Sequence, residues 1–287
     1  MRMKTLKTER TMKDTNHYGR RSFLLAASVM LTAGAAAGPA LASEPVDTAR
    51  EVIQQVSLLQ GLTFGDYYGS IPVSRLKELG DTGIGTFNAL NGELIMLDGV
   101  VYRAAHDGTI EVVPDEETIP FANVTFFDTD AEMELKDIAN VNALKEQLDK
   151  KVQETGKNRF YMIKAEGNFA SMQVRSELPQ TEPYKPLAKV LETDQTFFDY
   201  QDINGTVVGL YCPEYMNDIN AVGWHFHFIS DDRTAGGHVL DLSTEAVEVT
   251  LDCTDGFAMT VPDNEMFHEL DLTVDQSDDI KKVETGE

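Results

Sequence analysis

Apolar and polar positions alternate with a period of two over much of the chain, and short turn-forming pairs punctuate the alternation. Asn91-Gly92, Asp98-Gly99 and Asp107-Gly108 separate the apolar-rich runs 93–97, 100–104 and 109–113, which predicts an antiparallel meander. Residues 120–127 add a further strand, and 160–165 and 170–177 read as two strands joined across Glu166-Gly167-Asn168. Strands return at 206–212, 246–253 and 257–261. Helical spacing is rarer. Ser70 and Pro72 mark the start of a helix over 73–79 that Gly80 stops, and a short helix is predicted at 187–192. A longer helix is predicted behind Asp130, with Ile138, Val141, Leu144, Leu148 and Val152 recurring at steps of three and four. The apolar segment 52–61 is buried, strand or helix, and 83–88 is too irregular for a helix.

These elements predict a mixed α+β fold with mainly antiparallel β-sheets and packed helices. Pro179 to Pro183 marks a boundary between an N-terminal α/β domain, 43–180, and a β-rich domain, 181–287. The acidic, lysine-containing stretch 275–287 has the composition of a solvated tail.

Composition narrows the partners. With 48 acidic against 24 basic residues the 287-residue chain carries a net charge of -24, which disfavours nucleic acid and anionic membrane surfaces. The first 42 residues depart from that balance. They hold seven basic and two acidic residues, an apolar run and the small-x-small sequence Ala40-Leu41-Ala42, and so read as an export signal. Gly19-Arg20-Arg21-Ser22-Phe23-Leu24-Leu25 resembles the twin-arginine type. Without this segment 17 basic and 46 acidic residues remain, a charge of -29, in a protein expected outside the cytoplasm, periplasmic or extracellular. No other stretch approaches membrane-spanning length. Cys212 and Cys253 are the only cysteines, too few for a disulfide scaffold but free to pair in an oxidising compartment.

Three of the six histidines fall within residues 223–238. Strand alternation points His225 and His227 one way and Trp224, Phe226 and Phe228 the other. The polar run 230–234 and Gly236-Gly237 predict a reversal that lays His238 beside the first two. A lone histidine is ordinarily a hydrogen-bonded structural residue. Three on one hairpin, with no cysteine among them, instead match the ligand set of a catalytic zinc or similar divalent ion with open positions.

Several motifs, in order along the chain, together resemble the alpha-acetolactate decarboxylase family. They are Tyr67-Tyr68-Gly69, the stretch 80–87, Asn91-Gly92-Glu93-Leu94-Ile95, Asp98-Gly99 with Tyr102, the strand around Arg175, Gly209-Leu210-Tyr211-Cys212-Pro213 and the histidine hairpin. The resemblance implies conversion of (S)-2-acetolactate to (R)-acetoin and carbon dioxide by a zinc enzyme with a dimeric two-domain α/β fold. It places the metal ligands at His225, His227 and His238, the active-site acids at Glu93 and Glu284, an arginine at Arg175 and a substrate-contacting threonine at Thr86.

The chemistry fits those residue types. Loss of carbon dioxide from a 2-hydroxy-3-keto acid leaves an electron pair that the adjacent carbonyl must absorb, and a Lewis acid with vacant sites stabilises that charge. A guanidinium fork suits the leaving carboxylate, and a carboxylic acid on one face supplies the proton that sets the product enantiomer. Two other readings accommodate the same hairpin. His225-x-His227 with Asp231 echoes the first motif of cupin-type metalloenzymes, although His238 follows too soon for the second. A non-catalytic exported metal-binding module would need the histidines alone.

Overall fold

The three predicted hairpin turns organise the first of the two larger β-sheets, beside which Ile71–Pro72 and Thr118–Ile119 form a two-stranded ribbon among the described residues. In the computed structural model, which describes residues 50–276 together with Ile280 and Val283, fourteen strands and five α-helices are seen among the described residues. In chain order these begin with β1 (Val52–Val56), α1 (Leu59–Thr63), β2 (Ile71–Pro72), α2 (Val73–Leu76), β3 (Thr82–Thr86), β4 (Glu93–Leu97), β5 (Val100–Ala104), β6 (Ile110–Val112), β7 (Thr118–Ile119) and β8 (Phe121–Thr125). They continue with β9 (Ala131–Ile138), α3 (Val141–Thr155), β10 (Phe160–Glu177), α4 (Leu187–Leu191), β11 (Gln195–Cys212), β12 (Gly223–Ser230), β13 (Gly236–Thr254), β14 (Gly256–Thr260) and α5 (Glu265–Glu269). None of the helices is long and apolar enough to cross a membrane.

The first sheet has the order β14-β1-β8-β3-β4-β5-β6, antiparallel except for the β1–β14 pair. Its β4–β5 turn puts both Asp98 (φ 50°) and Gly99 (φ 79°) in the left-handed region, as a two-residue hairpin matched to strand twist requires. The second sheet runs β10-β11-β12-β13-β9, and β13 also pairs with β10, so four strands form a closed ring of pairings. Apolar residues of both sheets, among them Ile84, Ile95, Met162, Val208, Leu210 and Ile229, meet in one shared core. A separate core, including Phe226, Phe228 and Val249, lies beneath α3, which contributes Leu144, Leu148 and Val152 at steps of four.

The mixed, mainly antiparallel architecture matches the sequence expectation, and three local expectations need correction. Residues 131–138 are a strand, not the first turns of a helix: Ala131, Met133 and Leu135 turn to the core while Glu132, Glu134 and Lys136 face solvent, a period of two. Asp130 accordingly caps no helix. Its carboxylate accepts from the Cys253 backbone N–H at 2.9 Å, and Asn140 caps α3 by accepting from the Ala143 N–H. Residues 160–177 form one strand, because Gly167 is paired on both sides, with Gly205 of β11 and Val247 of β13, and the ladders override a weak turn signal. The helix expected over 73–79 is the single turn of α2, with Ile71–Pro72 in a strand.

Residue 180 lies in the connection between β10 and β11, which pair over residues 161–177 and 195–211, and β14 returns the chain to the first sheet. The expected export signal, 1–42, lies outside the described residues. Cys212 and Cys253 are not joined. Cys212 sits in the core between the sheets and Cys253 in the core beneath α3.

Gly237 shows how tightly the second sheet is drawn together. Its φ is 146°, and a Cβ there would come within 2.5 Å of the Arg175 carbonyl oxygen. Gly237→Ala should therefore lower the unfolding free energy by at least about 1–3 kcal/mol, measured by denaturant titration. An unchanged midpoint would show that the strands have room to part.

Candidate active site

The histidine strand owes its two faces to strand geometry and to what each face meets. Trp224, Phe226 and Phe228 enter the core beneath α3, where the Trp224 indole N–H donates to Asp149 of that helix at 2.9 Å. His225 and His227 consequently point toward the first sheet. The reversal occupies residues 231–235, held by the Ser230 hydroxyl oxygen, which accepts from the N–H groups of Thr234 and Ala235 at 3.0 and 2.9 Å. β13 then returns with His238 directly across from His227, as the spacing predicts.

The three rings converge. Nε2 of His225 lies 3.1 Å from Nε2 of His227 and 3.0 Å from Nδ1 of His238, and one nitrogen from each falls within 4.8 Å of the others. Two metal–nitrogen bonds of tetrahedral zinc put their nitrogens roughly 3.3 Å apart, close to these separations. His227 is oriented by the first sheet: its Nδ1–H donates to the Leu94 carbonyl at 2.9 Å, which leaves the Nε2 lone pair for a ligand. Burial, reinforced by the nearby Arg175 charge, holds the His225 pKa down to about 3 and the His227 pKa well below the ordinary imidazole value. Both rings are therefore neutral at physiological pH, the protonation state that ligates.

Of the other expected residues, Thr86, Glu93 and Arg175 line the same recess. Thr86 closes β3 and Glu93 opens β4 directly opposite it. The Thr86 hydroxyl donates to the Gly92 carbonyl at 2.9 Å, so only its lone pairs remain to meet a ligand. Glu93 is buried, with Oε2 3.4 Å from His227 Nε2. Arg175 lies across from His238, because a one-residue register shift between Gln173 and Val174 realigns β10 on β13. Its Nη2 donates to the Val283 carbonyl at 2.5 Å. Glu284 lies outside the described residues. Ile280 and Val283 of the segment expected to be solvated are buried, packed with Leu59, Leu62 and Tyr67.

Two features escaped the sequence reading. The Leu94 carbonyl is a backbone group with no sequence signal. Glu177 also lines the recess, 3.6 Å from the Arg175 guanidinium, and its i, i+2 spacing from Arg175 on a strand was available as a signal.

Comparison with known proteins points to one family. The profile of the alpha-acetolactate decarboxylase family matches residues 53–274. The chain is 41% identical to the alpha-acetolactate decarboxylase of Methanosarcina mazei, covering 83% of this chain and 82% of that one. It is 37% identical to the Bacillus licheniformis protein of the same name, covering 80% and 89%. Among solved structures, alpha-acetolactate decarboxylase from Bacillus subtilis strain 168 superposes with a TM-score of 0.78 at 33% identity, covering 82% of this chain and all of that one.

The lowered histidine pKa values carry a sign that is open to measurement. Between pH 6.5 and about 3 the unfolded histidines bind protons that the folded ones refuse, so stability falls as pH falls through that window. Chelator-treated protein should lose stability steadily below pH 6.5 in denaturant titrations, and His225→Asn should flatten the slope. An identical slope in the variant would show that His225 titrates normally.

Proposed function

Because the chain belongs to the alpha-acetolactate decarboxylase family, we propose that it converts (S)-2-acetolactate to (R)-acetoin and carbon dioxide on a zinc ion held by His225, His227 and His238. The chain is a carboxy-lyase, as its relatives' name states for them. The observation that carries the metal assignment is the approach of three imidazole nitrogens to 3.0 and 3.1 Å beside a buried guanidinium and a buried carboxylate. Neutral nitrogen donors with no thiolate suit zinc, and three protein ligands leave positions for substrate oxygens. When bound, the ion supplies Lewis acidity for the charge that gathers on the substrate carbonyl as the carboxylate departs.

The chain's own residues supply orientation and the proton. Arg175 presents a planar, permanently charged fork to the substrate carboxylate and fixes the bond that breaks relative to the carbonyl plane. The electron pair of that bond stays with the substrate, and carbon dioxide leaves neutral. Glu93, beside His227, holds the proton that then adds to carbon on one face. Thr86 accepts from a substrate hydroxyl, its own proton being committed to Gly92. Leu59, Leu62, Leu90, Phe121, Leu187 and Val283 wall the recess with apolar surface, which excludes water from the charged intermediate. A non-catalytic metal-binding module would have no use for this buried set. The protein acts as an exported homodimer in this reading.

Purified protein should form acetoin from acetolactate, lose that activity to a chelator and regain it with zinc; activity indifferent to chelation would remove the metal from the mechanism. Arg175→Lys should retain zinc yet turn over about a hundredfold more slowly, since a point charge replaces the fork. Replacing Arg20 and Arg21 with lysine should leave the precursor inside the cell on fractionation, whereas normal export would exclude the twin-arginine route.

A further inference from the structure

Glu177 brings a second carboxylate to the recess that neither the sequence reading nor the proposed chemistry uses. Arg175 and Glu177 are 3% and 4% exposed and lie on one face of β10. Glu177 Oε1 stands 3.6 Å from Arg175 Nε, close enough for an ion pair and too far for a good hydrogen bond. Among the described residues nothing accepts from Nε or Nη1 of Arg175, and nothing donates to Glu177 Oε2. Buried polar groups are almost always paired, so two vacant donors and a vacant acceptor in one recess point to a ligand.

Decarboxylation places conflicting demands on Arg175. The substrate carboxylate must be oriented, yet its charge is gone once carbon dioxide forms. A guanidinium that grips the carboxylate strongly stabilises the ground state more than the transition state and slows the reaction. A neighbouring carboxylate offsets this in two ways: it weakens the guanidinium's field at the substrate, and it repels the substrate carboxylate directly. We propose that Glu177 is a positioning residue acting through Arg175, which moderates the fork so that the recess aligns the carboxylate without retaining it. The repulsion is relieved as the carbon–carbon bond breaks, its electron pair moves toward the carbonyl, and neutral carbon dioxide leaves. This inference rests on the decarboxylase reading above.

The test uses the zinc-loaded full chain as wild type, Glu177→Gln and Glu177→Asp. Acetolactate kinetics are measured together with affinities for 2-hydroxy-2-methylbutanoate, a carboxylate with no carbonyl to receive electrons, and for acetoin, which is neutral. In Glu177→Gln, kcat and KM should fall together by about three- to tenfold, the signature of lost ground-state destabilisation. The carboxylate probe should bind more tightly by a similar factor, with acetoin unchanged. Glu177→Asp, which keeps the charge but withdraws it by one methylene, should fall between. A merely structural role would lower kcat with KM raised or unchanged and would weaken the carboxylate probe, and that result overturns the proposal. Should the glutamine variant fail to fold, the aspartate variant decides: probe affinity equal to or weaker than wild type overturns the proposal. Wild type that forms no acetoin overturns the decarboxylase reading and this inference with it, a result distinct from a productive wild type with unresponsive variants.

Discussion

One hydrogen bond ties the chemistry to the architecture: the Nδ1–H of His227, on the second sheet, donates to the carbonyl of Leu94, on the first. It sets the tautomer, so that the other ring nitrogen keeps its lone pair. It also joins the histidine strand to β4, the strand that opens with Glu93. His227 and Glu93 are thereby held at a fixed spacing by a group whose position is set by strand pairing on both of its sides. A side-chain partner would carry rotamer freedom into the site; a mid-strand carbonyl carries almost none.

The second constraint is burial. Both flanks of β12 are covered, the aromatic flank by α3 and its core and the imidazole flank by the first sheet, so the imidazoles are surrendered by water and remain neutral. A neighbouring guanidinium works in the same direction, because two cations in one recess repel. Arg175 thus assists in keeping His225 and His227 in the neutral form that binding a metal ion would require. Its placement depends on an irregularity, the one-residue register shift between Gln173 and Val174 that sets Arg175 across from His238. In an unbroken ladder Val239 would occupy that position. Strand alternation lets the one long strand serve the core with Val174 and the site with Arg175 and Glu177.

Much of this was legible along the chain because it is local. Turn pairs such as Asp98-Gly99 need positive φ and advertise it, and the alternation through Trp224-His225-Phe226-His227-Phe228 assigns faces wherever a strand forms. The apolar steps through Leu144, Leu148 and Val152 likewise name their own buried face. Local signals failed where two periods ran together, at 131–138, where a two-period strand leads directly into a four-step helix. They failed again at Gly167, where a glycine that suggests a turn is instead pinned between β11 and β13.

By itself, then, the sequence determined the antiparallel hairpins, the face on which His225, His227 and His238 gather, and through a run of motifs the residues Thr86, Glu93 and Arg175. Only the tertiary structure decided that Leu94 orients His227, that a register shift aims Arg175, that Ile280 and Val283 are buried, and that Glu177 completes the recess. The physical reason is range. Periodicity and turn chemistry act between neighbours in the chain, whereas these contacts join Leu94 to His227 and Arg175 to Val283, segments that meet only when ladders and cores close, and backbone carbonyls leave no trace in residue type.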